Sequence, residues 1–300
     1  MKAKIKFSNE FEKEEYVKQC DSEFESRLDV IMKQVCSLEG LKFLTLSGPT
    51  CSGKTTASEK LISECAERGK KTRIISLDDF FRNRKDLEAE AVNGKLDFDS
   101  EKALDLECLS EFMKDLQIGK ETMLPQFDFN EARRVGYERF SRGDADIIVF
   151  EGIQAIYPVF TSMLDADSHE CASIYISPLE DLQIGETVIP RREVRLWRRL
   201  VRDYRYRSAD PEFTFFLWEG VTENEDKNIL PYEQNSDYLI NSLLGYDAGM
   251  LKKELVNILS PIAPSSRYYR KSREILKILE GVDEIDEKYL PKISLYHEFV

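Results

Sequence analysis

LKFLTLSGPTCSGKTT, residues 41–56, decides the fold. Its first half is a short apolar run. Its second half spells Gly48-Pro49-Thr50-Cys51-Ser52-Gly53-Lys54-Thr55, with Thr56 next. This spacing fits G-x4-G-K-[ST], the phosphate-binding loop. Glycines allow a tight turn whose backbone N–H groups converge on phosphate oxygens, and the helix that follows adds the positive end of its dipole. Lys54 then reaches the β- and γ-phosphates, and Thr55 offers its hydroxyl to Mg²⁺. The apolar run reads as a strand and residues 55–68 as a helix, which is the context the pattern needs. ATP and Mg²⁺ are the expected cofactors, with Gly48 through Thr56 around the nucleotide.

Further strands follow on both sides of this unit. TRIIS (72–76), DIIVFEG (146–152) and CASIYIS (171–177) read as buried strands, and SDYLINS (236–242) as another. Residues 9–38 carry Val17, Cys20, Phe24, Leu28, Ile31, Met32 and Val35 at helical spacing, with Gly40 to end the helix. Residues 101–118 and 247–280 also read as helical, and 285–300 as a tail. Strands alternating with helices predict an α/β fold, a mostly parallel P-loop NTPase-type sheet with helices on both faces. The expected organisation is an N-terminal helical extension (1–40), a nucleotide-binding core (41–243) with a lid at about 178–220, and a C-terminal helical extension (244–300).

Composition excludes several classes. A net charge of −13 argues against a general nucleic-acid binder, because phosphate backbones repel such a surface. No apolar run approaches the roughly 20 residues of a membrane helix. MKAKIKFSNEFEKEE has no apolar segment of the secretory kind. The six cysteines form no Cys-x-x-Cys pair and read as reduced thiols of a cytoplasmic protein. With only two histidines, any general base is expected to be a carboxylate. The partner implied is a small molecule, and a homo-oligomer stays open.

Three features carry the rest of the chemistry. Asp78 and Asp79 follow the second strand, in ISLDDFF, where open parallel sheets bind their ligands beyond the carboxyl ends of the strands. A carboxylate there can take the proton of an attacking hydroxyl. Glu151 ends the strand IIVF and suits Mg²⁺. RREVRLWRRLVRDYRYR, residues 191–207, holds eight arginines. At 100° per residue Val194, Trp197, Leu200, Val201 and Tyr204 share one face, and Arg191, Arg195, Arg198, Arg199 and Arg202 the other. Arginine's planar fork suits phosphate, so a lid closing guanidinium groups over ATP is expected.

These pieces together resemble the uridine kinase and phosphoribulokinase family of P-loop kinases, and within it a longer bacterial branch of uridine-kinase-like nucleoside kinases. The similarity runs from about Phe43 to Asn241 and includes GPTCSGKTT, SLDDFF, LDFDSEKALDL, PQFDFNEARR, FEGI and SDYLIN. The resemblance implies Asp78 as catalytic aspartate, with Lys54 and Arg198 beside it in catalysis. It implies Thr55 and Glu151 on Mg²⁺, and Asp99 on the ribose hydroxyls. It also implies Arg195 on the substrate, Arg198, Arg199 and Arg202 on phosphates, and Phe127 and Phe129 around the base. Ala132 stands where uridine–cytidine kinases have a histidine that reads the pyrimidine edge, and Phe127 where tyrosine is common.

The function expected is transfer of the ATP γ-phosphoryl group to a hydroxyl of a small molecule, with the 5′-hydroxyl of a nucleoside favoured. A kinase of the same fold for a phosphorylated sugar or a pantothenate-like alcohol is the alternative. A catalytically silent nucleotide-binding regulator is disfavoured by the presence of Asp78, Glu151 and the arginines together.

Overall fold

Strand β1 (Phe43–Ser47) is buried along its whole length, as a central strand covered on both faces must be. The computed structural model describes residues 1–90, 100–129, 131–164 and 169–300. β1 pairs in parallel with β5 (Ile147–Glu151) on one side and β6 (Cys171–Ser177) on the other. β2 (Thr72–Ser76) lies outside β5 and β9 (Tyr238–Asn241) outside β6, so the parallel order is β2-β5-β1-β6-β9. Leu46 of β1 and Ser76 of β2 both align with Glu151. The carboxyl ends of three strands therefore finish together.

Side chains alternate across the sheet. Ile147 and Val149 join the larger core with α1 (Glu10–Cys36), α2 (Lys54–Glu67), α6 (Arg191–Arg207), α7 (Pro211–Asn228), α8 (Asp247–Leu259) and α9 (Tyr269–Glu280). Ile148 and Phe150 join a second core against α4 (Leu106–Gln117), whose Leu109, Phe112, Met113 and Leu116 are buried. Asn9 caps α1 by accepting from the Glu12 N–H, and the helix buries Val17, Phe24, Leu28, Met32 and Val35. Residues before and after residues 41–243 thus share one core with the sheet.

Several expectations are corrected. Residues 247–280 are two helices, α8 and α9, with Pro261 and Pro264 between them, where a missing N–H and a fixed φ stop helix propagation. The stretch 101–118 is a short 3₁₀ turn followed by α4, which Asp105 caps by accepting from Cys108. The helical reading also missed α3 (Arg84–Glu90), the short α5 (Pro158–Thr161) and the long α7. Two antiparallel hairpins were not foreseen: β3 (Thr122–Asp128) with β4 (Arg133–Phe140), and β7 (Leu182–Ile184) with β8 (Thr187–Ile189). β4 reads RRVGYERF, mostly exposed and charged, so it carries no apolar alternation to announce it. Cys36 and Cys65 form a disulfide between α1 and α2, with Cα atoms 5.4 Å apart, against the expectation that all six thiols are free. Cys20, Cys51, Cys108 and Cys171 are free.

Candidate active site

The loop after β1 is shaped by contacts that admit only glycine at its ends. A Cβ on Gly48 would sit 2.3 Å from the Ile176 carbonyl oxygen. Gly53 has φ 97°, a left-handed conformation that costs other residues free energy, and a Cβ there would collide with Leu295. Cys51 is also left-handed, at φ 57°. The buried Ser52 hydroxyl has no hydrogen-bond partner inside the loop, which fits a cradle completed by an anion's oxygen. α2 starts at Lys54 and has no acidic residue of its own in its first turn to offset the positive end of its dipole.

Two arginines pull this loop into shape from behind. Arg195 donates to the Thr50 carbonyl at 3.2 Å and grips Glu225 through two bonds of 2.8 and 2.6 Å. Arg198 donates to the Cys51 carbonyl at 3.4 Å, to the Ser242 carbonyl at 2.8 Å and twice to Asp247, at 2.7 and 2.8 Å. In a trans peptide the N–H points opposite its carbonyl. Carbonyls held outward at Thr50 and Cys51 therefore turn the Cys51 and Ser52 N–H groups toward the inside of the loop. Arg195 is 3% exposed and Arg198 is 0% exposed, and neither lines the cavity. The structure places both guanidiniums on carboxylates and carbonyls behind the loop, where they were expected on a substrate and a phosphate. α6 buries residues on every side and packs between α7 and α8, rather than showing a free row of guanidinium groups.

A cavity of about 760 Å³ opens beyond the strand ends. Residues Thr50 to Thr55 form its floor, with Asp78, Glu151 and Gln154 beside them. The Lys54 ammonium donates to the Gly48 carbonyl at 3.0 Å and to that of Pro49 at 3.4 Å, and lies 4.0 Å from Glu151. Arg199 and Arg202 reach the cavity from α6. Arg202 donates to the Thr50 hydroxyl at 3.2 Å. The buried carboxylate of Asp203 holds Arg199 at 3.2 Å, Arg202 at 2.6 Å and Arg207 at 3.5 Å. One carboxylate among three guanidiniums leaves net positive charge beside the loop. Burial, then the neighbouring Arg202, hold the Arg207 pKa below its usual value.

The two aspartates part company in the 3₁₀ turn Leu77–Phe80. Asp78 lines the cavity, whereas Asp79 accepts from the Phe127 N–H at 3.4 Å and ties β3 to this turn. Burial raises the Asp79 pKa above the usual carboxylate range. Phe127 and Phe129 form the far wall with Phe81, in edge-to-face contacts at 5.3 to 6.2 Å between ring centres. Ala132 completes that wall with φ 49°. Asp99 lies outside the described residues.

The donor set fits ATP with Mg²⁺. Thr55 supplies a hydroxyl and Glu151 a carboxylate, hard oxygens of the kind Mg²⁺ takes in ones and twos beside substrate phosphates. Among the described residues no group of three or more acidic, histidine or cysteine ligands would hold a metal without phosphates. Several lining residues escaped the sequence reading: Phe81, Arg84, Gln154, Arg207, Leu217 and Glu298. Phe81 and Arg207 sit inside segments already singled out. Glu298 has no local signal; it is 242 positions from the Thr56 it touches.

A family model described as the Phosphoribulokinase / Uridine kinase family matches residues 43–247. The chain is 27% identical over 237 residues to uridine-cytidine kinase B of Dictyostelium discoideum, covering 79% of this chain and 88% of that protein. It is 30% identical over 197 residues to the uridine kinase of Schizosaccharomyces pombe, covering 65% of this chain and 37% of that protein. The solved structure of a possible uridine kinase from Bacillus stearothermophilus overlays with a TM-score of 0.49 at 16% identity, covering 73% of this chain and 99% of that one.

Proposed function

The chain belongs to the Phosphoribulokinase / Uridine kinase family, and from that premise we propose that it transfers the γ-phosphoryl group of ATP to the 5′-hydroxyl of a nucleoside. The observation that carries the reading is the shared cavity. Its one end holds Lys54, Thr55, Glu151, Arg199 and Arg202 around the phosphate loop, and its other end is walled by Phe81, Phe127 and Phe129, with Asp78 between.

Each residue then has a physical task. Asp78 orients the acceptor hydroxyl and takes its proton as the oxygen attacks. Lys54, Arg199 and Arg202 stabilise negative charge on the transferring group. Thr55 and Glu151 would hold Mg²⁺, which would supply further charge neutralisation on the phosphates. Arg195 and Arg198 act through the loop, by fixing the direction of its N–H groups. The phenyl rings offer apolar faces on which a flat base can stack. Asp99 takes the ribose hydroxyls in this reading. In this reading the reaction takes place in the cytoplasm. Among the described residues no helix is long and apolar enough to cross a membrane.

The test is ADP release on incubation with ATP and Mg²⁺ and a panel of nucleosides, sugar phosphates and pantothenate-like alcohols. ADP release driven by a nucleoside supports the reading. Release driven only by a sugar phosphate or a non-nucleoside alcohol moves the acceptor to the alternative class. No release with any of them refutes phosphoryl transfer.

A further inference from the structure

The carboxylate of Glu298 sits at the start of α2, on the donors the phosphate loop presents. It accepts the backbone N–H of Thr56 at 2.9 Å and the Thr56 hydroxyl at 2.7 Å. Thr56 directly follows Thr55, in the first turn of the helix whose N–H groups and dipole attract anions. Both interactions are those a phosphate oxygen of a nucleotide would make there. Glu298 lines the same cavity as Lys54, Asp78 and Arg202.

The segment that carries Glu298 is firmly seated. Leu295 is 0% exposed and its Cδ1 fills the space a Cβ on Gly53 would need. The buried Tyr296 hydroxyl donates to Asp247, the carboxylate that grips Arg198. Phe299 lies under the Arg198 guanidinium at 5.1 Å, and Ser294 accepts from the Tyr296 N–H at 3.2 Å. The segment is thus anchored to the network that shapes the loop, and it presents a charge of the same sign as the nucleotide phosphates.

We propose that residues 294–299 form a built-in brake on the nucleotide site, with Glu298 as a tethered anion that ATP must displace from Thr56. This rests on the reading of the loop as the ATP site. The carboxylate keeps the cradle ordered before nucleotide arrives, since it satisfies donors at a helix start that are otherwise orphaned. It also repels incoming phosphate, so affinity for nucleotide is set below what the loop alone would give. Anything that draws this segment away from α2 would release the brake.

The experiment is a calorimetric titration of the full chain and of Glu298→Gln with ATP·Mg²⁺, ADP and adenosine, at low and high salt. Glutamine keeps an oxygen to accept from Thr56 and removes the charge. The expected result is about tenfold tighter binding of ATP and ADP, an effect that shrinks as salt rises, with adenosine unchanged. Glu298→Ala, which also withdraws the acceptor, should shift ATP binding in the same direction. Unchanged or weaker ATP binding in both variants overturns the brake and leaves Glu298 as a support for α2. Equal tightening of adenosine overturns it too, because the effect would then not act on phosphate. If the wild-type chain binds neither ATP nor ADP, the nucleotide-site reading itself fails, and the brake with it.

Discussion

Arg198→Met separates a phosphate-contacting arginine from one that builds the site. Arg198 is 0% exposed, and its guanidinium donates to Asp247 at 2.7 and 2.8 Å and to the carbonyls of Ser242 and Cys51. Methionine replaces the stem but none of these bonds. Asp247, also 0% exposed, is left with the Tyr296 hydroxyl and the Leu244 N–H as its remaining partners. Removing one member of a buried ion pair typically costs about 3–5 kcal/mol, because the other charge stays buried without compensation. At about 2–4 °C per kcal/mol for a chain somewhat smaller than this one, the melting temperature should fall by roughly 6–20 °C. The second substitution Asp247→Leu, added to Arg198→Met, should recover a large part of that loss, since no buried charge then remains. Calorimetric melting of the three variants makes the measurement. The turnover of folded Arg198→Met at low temperature gives the complementary reading, and it should fall through a higher KM for ATP as the Cys51 carbonyl loses its tether. A melting temperature within about 2 °C of wild type, together with a hundredfold loss of kcat, would refute the structural role and return Arg198 to the phosphates.

Lys54→Ala should cost on the order of 10²–10³ in kcat with melting unchanged, and near wild-type turnover would remove the loop from the reaction. Asp78→Asn should abolish most turnover while ATP still binds, and Asp79→Asn should be milder; the reverse order in kcat would shift the base by one residue. Asp79 also gives a pH test. Burial raises its pKa above 3.8 in the folded chain, so the native state holds a proton that the unfolded state releases, and stability falls as pH rises through the window just above 3.8. Denaturant melts of Asp79→Asn should lack that part of the slope. At the acceptor end, Phe127→Ala and Phe129→Ala should raise KM for nucleosides of any base alike. The ratio of kcat/KM for uridine over 2′-deoxyuridine should be large and that for uridine over adenosine small. Equal kcat/KM for uridine and deoxyuridine would dispose of the Asp99 assignment.

The loop and its strand were legible in sixteen consecutive residues, because glycine spacing, the lysine and the following hydroxyl act through backbone geometry within that segment. The same holds for β6, whose predicted bounds match Cys171–Ser177, and for β5, whose buried run needs no distant partner to be read. The arginine helix was legible as a helix but not as a surface. Helical periodicity assigns faces, yet only the partners decide which face is wet. Those partners, Glu225 on α7 and Asp247 at the start of α8, lie 30 and 49 positions further on. A guanidinium that reads as exposed by composition is buried once a carboxylate meets it in the fold. β3 and β4 escaped for the opposite reason: their pairing is specified by cross-strand bonds and by ties such as Asn83 to the Arg134 N–H at 2.8 Å, not by an apolar pattern. Glu298 shows the limit most plainly. Nothing around it in sequence marks it, and it acquires a role only because Leu295, Tyr296 and Phe299 bury themselves against Gly53, Asp247 and Arg198, and so deliver its carboxylate to Thr56. Local residues determined that this chain has the glycine loop that we propose as a phosphate cradle. Contacts between segments far apart along it decided which charges face that cradle, since burial and charge pairing are properties of the packed molecule rather than of any one stretch.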